Sequence, residues 1–127
     1  MSIERIGVVG AGQMGSGIAH VLALAGYDVV LADLTAEALD NSIAMIRRNM
    51  SRQAARPTIH GHTLRPVVHD RDIEPAMARI KPVTGLDALA NCDLVIEAAF
   101  EDEALKKAIF QELAAKLKPE AIIATNT

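Results

Sequence analysis

Ile6-Gly7-Val8-Val9-Gly10-Ala11-Gly12-Gln13-Met14-Gly15 brings the chain, almost at its start, from an apolar run into a glycine-rich turn. The first four residues read as a short buried strand, and the rest as a sharp turn that opens a helix. Each glycine has its own physical reason. Gly10 permits the tight turn, Gly12 lets the backbone approach phosphates without a Cβ in the way, and Gly15 lets the helix lie close against the strand. Phosphates then meet the free N–H groups of the helix N-terminus, where the dipole adds roughly half a positive charge. The stretch therefore implies a dinucleotide-binding turn.

Glycine-rich turns recur by chance, so the surrounding residues have to carry the claim. After Gly15 the apolar residues Ile18, Val21, Leu22 and Ala25 recur at helical spacing, and Gly26 follows as a C-cap. Val29-Val30-Leu31-Ala32 is a second short strand, ending at Asp33, which lies 18 residues beyond Gly15. An acid at about that distance accepts hydrogen bonds from the adenosine ribose. A helix N-cap is the alternative role for Asp33 and is compatible with the first. A carboxylate there repels a 2′-phosphate, and Leu34-Thr35 offers no Arg to receive one, so NAD is favoured over NADP.

The 127 residues suffice for one domain with a real core. Half are hydrophobic but only 2% are aromatic, so that core must be aliphatic. The formal net charge of −3, with both signs interspersed, leaves no basic face for nucleic acid. Cys92 stands alone and reads as a small core residue. No cationic leader or long apolar segment is present, which predicts neither a signal peptide nor a membrane span, and a cytoplasmic protein by default.

Residues 36–56 read as a second helix with Leu39, Ile43, Ile46 and Met50 on its core face. Residues 57–75 break the pattern as an atypical insert or loop: Pro57, Pro66, Pro75 and Gly61 punctuate it, and no period is sustained. His60, His62 and His69 fall here without a Cys or carboxylate cluster at ligand spacing, so no metal site is expected. Ala76–Ile80 restores regularity, Pro82–Gly85 reads as a strand and turn, and Leu86–Asn91 as one or two helical turns. Asp93–Phe100 reads as a buried strand. Glu101–Glu103 opens a helix with Leu105, Ile109, Leu113 and Leu117 stepping by four, and Pro119 ends it. Ala121–Thr125 is a last strand. This alternation predicts an α/β fold, a doubly wound parallel sheet of Rossmann type with right-handed crossovers and strand order 3-2-1-4-5. The sheet is incomplete, with an apolar edge left open at the fifth strand, and such an edge favours self-association.

Gly10–Ala19, Val29–Asp33, Asp93–Ala98 and Ala124-Thr125-Asn126-Thr127 together resemble the N-terminal NAD-binding domain of the L-3-hydroxyacyl-CoA dehydrogenase family, which includes the 3-hydroxybutyryl-CoA dehydrogenases. The resemblance covers nearly the whole chain apart from residues 57–75. It implies hydride transfer between NAD and the 3-hydroxyl carbon of an acyl-CoA. It implies that Gly10, Gly12, Gln13, Met14, Gly15 and Asp33 bind the cofactor, with Glu101 and Lys106 near its nicotinamide half. Without the family, Glu101 reads as a first-turn acid stabilising a helix and Lys106 as a solvated charge. Asn49 and Arg56 fall near positions that touch the CoA portion, although Pro57 and Pro66 should interrupt the helical pair that the family builds there. The Arg, His, Pro and Thr bias of residues 56–72 reads as a local change of reading frame, restored near Ile73.

The resemblance further implies that the catalytic His, its orienting Glu, and the Ser and Asn that hold the substrate oxygen all follow the Thr-Asn-Thr segment. No catalytic residue is then expected in this chain, which reads as a truncated member, inactive alone, that lacks the helical substrate and dimerisation domain of the homodimeric family. A non-catalytic NAD-binding module of sensor or crystallin type, or part of a 3-hydroxyisobutyrate-type dehydrogenase, are the alternatives. Asp33 and the Thr-Asn-Thr segment favour the hydroxyacyl-CoA group.

Overall fold

The computed structural model describes residues 2–55, 58–59, 62–63, 68–98 and 102–125. Strands β1 (Arg5–Val9) and β2 (Asp28–Asp33) flank helix α1 (Gln13–Leu24), and α2 (Ala36–Ala54) follows. A small antiparallel hairpin, β3 (Thr58–Ile59) with β4 (His62–Thr63), leads to α3 (Asp70–Ala78) and β5 (Ile80–Thr84). A 3-10 turn at Asp87–Leu89, β6 (Leu94–Glu97), α4 (Glu103–Lys116) and β7 (Ile122–Thr125) complete the order. The main sheet runs β5-β2-β1-β6-β7, all neighbours parallel. Counted within that sheet, this is the expected order 3-2-1-4-5.

Two aliphatic cores lie on opposite faces. On one, Val8, Val29 and Leu31 meet α1, α2 and α3 through Ala19, Ala23, Leu39, Ile46, Met50, Ile73 and Met77. On the other, Val9, Val30, Ala32 and Val95 pack against Leu89, Cys92, Ile109 and Leu113. Each fully buried Ile, Leu or Met contributes about 1.5–3 kcal/mol of transfer free energy. Burial in this second core also pushes the Cys92 thiol up to about 11.

Several expectations need correction. Val21 is exposed, because a helix packed on a sheet buries one stripe only, and Ala19 and Ala23 form it here. Leu105 is exposed as well, and only Ile109 and Leu113 of the α4 series are buried. The irregular stretch is shorter than residues 57–75, since Val68 is buried and α3 starts at Asp70. Asp72 accepts a hydrogen bond from the His69 N–H at 2.9 Å, which fixes the start of α3. Pro75 sits inside that helix and is accommodated at the loss of one N–H donor, while Ile73, Ala76 and Met77 anchor the helix in the core. The hairpin β3–β4 lies in the stretch that the sequence reads as an insert or loop, since strands of two residues are too short to show an alternating pattern. Pro82 is compatible with β5 because β5 pairs only with β2 among the described strands, so a missing donor on its outer side breaks no ladder.

Asp93 staples the amino-terminal end of the sheet. Its Oδ2 accepts from the backbone N–H groups of Glu4 at 2.9 Å and Arg5 at 3.1 Å, and its Oδ1 pairs with Lys118 Nζ. Lys118 first and the two N–H groups next hold the Asp93 carboxyl well below the usual carboxylate range. A lowered folded value means that the charged form is the one the fold prefers. The stabilisation is therefore complete above the unfolded Asp value of about 4, and falls away as pH drops below it. Thermal unfolding between pH 7 and pH 3 should show Asp93→Asn melting well below the unmodified chain at pH 7. The gap should narrow steadily below pH 4, and a constant gap would contradict this assignment.

Candidate functional site

The chain passes from β1 to β2 and β5 on one side, then returns to β6 on the other. The carboxyl ends of β1 and β6 thus bracket a topological switch point, the crevice in which open α/β sheets bind ligands. Val9 pairs with Glu97 there, and the Ala98 N–H donates to the Val9 carbonyl at 2.9 Å.

The turn leaving β1 is held on several sides. Gly10 takes φ 110°, a left-handed conformation that an L side chain resists, and its N–H donates to the Ala32 carbonyl at 2.8 Å. A Cβ on Gly15 would lie 1.7 Å from the Gly10 carbonyl oxygen. The close approach is thus between the helix and its own turn, rather than chiefly between helix and strand. A Cβ on Gly12 would meet nothing within 4 Å, so the backbone there is open to the approach of a ligand. Gly12 caps α1, Gln13 and Met14 are exposed beside it, and no acid occupies the first turn to compete with an anion. The first-turn N–H groups have no partner within the helix itself. Behind them Ser16 Oγ reaches the Ala11 carbonyl at 3.3 Å and Ser42 Oγ at 2.6 Å, which ties α1 to α2.

Asp33 closes the other side. Its Oδ2 accepts the Ala11 N–H at 2.7 Å and its Oδ1 accepts the Leu34 N–H at 2.6 Å. Thr35, not Asp33, is the N-cap of α2, with its hydroxyl accepting from Ala38 N–H at 3.1 Å. The N-cap alternative for Asp33 is therefore set aside. A carboxylate accepts about four hydrogen bonds, so two remain for ligand hydroxyls. Asp33, Leu34, Gly85, Leu86, Leu105 and Ile109 line a groove of about 260 Å³ with mostly apolar walls. Such a slot beside an acid suits an adenine ring with its ribose. Leu34, Leu86 and Leu105 have no binding role in the sequence reading, although a Leu directly after the acid was a usable signal.

Lys106, in the first turn of α4, is mostly covered, and its Nζ lies 3.8 Å from Glu97 Oε1. Glu97 is fully buried and accepts from Thr125 Oγ1 at 2.8 Å. Sequence reasoning gave Glu97 and Thr125 no role. An acid closing an otherwise apolar strand was the available clue. Asn49 is half-buried on α2, whereas Glu101 and Arg56, as well as His60, lie outside the described residues.

A parallel sheet of this order, with a glycine cradle after β1 and an acid at the end of β2, defines a dinucleotide-binding domain of the Rossmann class. The model of the 3-hydroxyacyl-CoA dehydrogenase NAD binding domain matches residues 5–127, and the chain belongs to this family. It is 50% identical over 125 residues to a 3-hydroxybutyryl-CoA dehydrogenase of Bradyrhizobium diazoefficiens, covering 98% of this chain and 40% of that protein. Among solved structures, 3-hydroxybutyryl-CoA dehydrogenase of Escherichia coli K12 is 37% identical with a TM-score of 0.87, covering all of this chain (100%) and 25% of the other. (S)-3-hydroxybutyryl-CoA dehydrogenase of Ralstonia eutropha is 36% identical with a TM-score of 0.86, covering 99% and 41%. The chain thus spans well under half the length of these relatives.

The two cradle glycines are separable by experiment. Gly12→Ala should unfold in urea within about 1 kcal/mol of the unmodified chain, since its Cβ enters open space, yet lose measurable NAD binding. Gly15→Ala should lose binding and at least about 2 kcal/mol of stability, since backbone cannot yield as a side chain does. Equal stability of the two variants would contradict the geometry.

Proposed function

We propose that this chain holds NAD for an oxidoreductase that moves a hydride between the cofactor and the 3-hydroxyl carbon of a 3-hydroxyacyl-CoA. The observation that carries the reading is Asp33, whose carboxylate meets the Ala11 N–H at 2.7 Å beside the glycine turn, which supports a role as acceptor for the adenosine ribose. In this reading Gly10, Gly12, Gln13, Met14 and Gly15 receive the pyrophosphate. The Leu34–Leu105 groove takes the adenine, and Glu101 with Lys106 serves the nicotinamide half. Asn49 and Arg56 are the residues proposed to contact the CoA portion. The base that takes the hydroxyl proton, worth about 10²–10⁴-fold in such reactions, is placed on polypeptide beyond this chain.

The same polypeptide is proposed to cover β7, whose Ile122 is 47% exposed at the edge of the sheet, and to carry the homodimer contact. Alone, the chain is expected to self-associate through that edge. A cytoplasmic location is part of this proposal, and no helix among the described residues is long and apolar enough to cross a membrane.

Isothermal titration with NAD and NADP tests the cofactor reading. NAD should bind at least about tenfold more tightly, because a 2′-phosphate would meet the Asp33 carboxylate. Asp33→Ala should erase most of that preference. Equal affinities of the unmodified chain for the two cofactors would overturn the reading.

A further inference from the structure

Glu97 is 0% exposed, the most deeply buried charged residue among those described, and it ends β6 at the switch point beside Val9. A buried carboxylate is costly unless partners compensate it. Among its partners are Thr125 Oγ1 on β7, at 2.8 Å, and Lys106 Nζ on α4, at 3.8 Å, both on the same oxygen, Oε1. Lys106 is itself oddly placed. Its N–H donates to the carbonyl of the N-cap Asp102 at 2.9 Å, so a cation occupies the helix turn in which the dipole prefers an anion. Lysine has a long flexible stem, and without a fixed counter-charge its ammonium would turn toward water.

We propose that Glu97 is a positioning residue for the nicotinamide end of NAD, a role that rests on the cofactor reading above. It holds the Lys106 ammonium at the carboxyl end of β6 as a hydrogen-bond donor toward the nicotinamide riboside. It also cancels most of the ammonium charge. That cancellation matters because the nicotinamide ring is cationic in oxidised NAD and neutral in NADH. A bare ammonium beside the ring would oppose the oxidised form selectively, whereas a neutral pair favours neither. Thr125 keeps the carboxylate oriented.

The test compares the affinities of NAD, NADH and ADP-ribose for the unmodified chain and for variants whose folding is checked by circular dichroism. Glu97→Gln should weaken NAD about tenfold relative to NADH and leave ADP-ribose within about twofold. Lys106→Met should move the NAD to NADH ratio the opposite way, since it removes the cation and keeps the carboxylate, and the double variant should return near the starting ratio. Glu97→Asp should restore much of the ratio. Should Glu97→Gln not fold, Thr125→Val, which removes only the hydroxyl donor, should shift the ratio in the same direction by a smaller factor. A purely structural role would weaken all three ligands together, and that result, or an unmoved ratio in the variants that fold, overturns the proposal. If the unmodified chain bound none of the three, the cofactor reading would fail with it.

Discussion

The start of α1 lies so close to the end of β1 that position 15 has no room for a Cβ, with the Gly10 carbonyl oxygen only 1.7 Å from where one would be. The rest of the site follows from this contact. It sets where the helix begins, and hence where the first-turn N–H groups stand relative to the sheet. It also leaves Ala11 at the apex of the turn, within 2.7 Å of the Asp33 carboxylate at the end of β2. The glycine turn and Asp33 are thereby one hydrogen-bonded unit, not two neighbouring features.

The sheet treats its two ends differently. β6 is bracketed by acids, Asp93 just before it and Glu97 as its last residue, and both are buried. At the amino-terminal end, Asp93 satisfies two backbone N–H groups and a lysine, and the result is a staple that joins β1 to β6. At the carboxyl-terminal end, Glu97 satisfies a threonine on β7 and stands near a lysine on α4, next to the crevice. Each burial costs solvation that only partners recover. In the first case the return is stability, and in the second, on the role proposed for Glu97, it is the placement of the Lys106 ammonium beside the crevice.

The elements that carry the site were legible in the sequence because local chemistry specifies them. Gly10-Ala11-Gly12-Gln13-Met14-Gly15 needs a strand before it and a helix after it, and the aliphatic runs at β2, β6 and β7 have the length and composition of buried parallel strands. What escaped depends on tertiary contacts. Whether Val21 or Ala23 faces the core depends on which stripe of α1 the sheet receives, and both fit the helical period. Pro75 reads as a breaker, yet the buried neighbours Ile73, Ala76 and Met77 outweigh one lost hydrogen bond. Leu105 belongs to the periodic apolar series of α4 but faces the groove beside Asp33, a distinction that periodicity alone cannot express. Glu97 was hidden for a similar reason. Its significance lies in its pairing with Val9 and Thr125, which are 88 and 28 residues away in sequence.

The central claim is that the glycine turn and Asp33 form one cofactor cradle. Backbone amide chemical shifts recorded while NAD is titrated into the isotope-labelled chain test it most directly. The account predicts that the largest saturating changes fall on Ala11, Gly12, Gln13, Met14 and Leu34, with smaller ones at Gly85 and Leu105. Changes centred instead on the separate cavity between His20, Gln53, Asp72 and Arg79, with the turn unmoved, would contradict it.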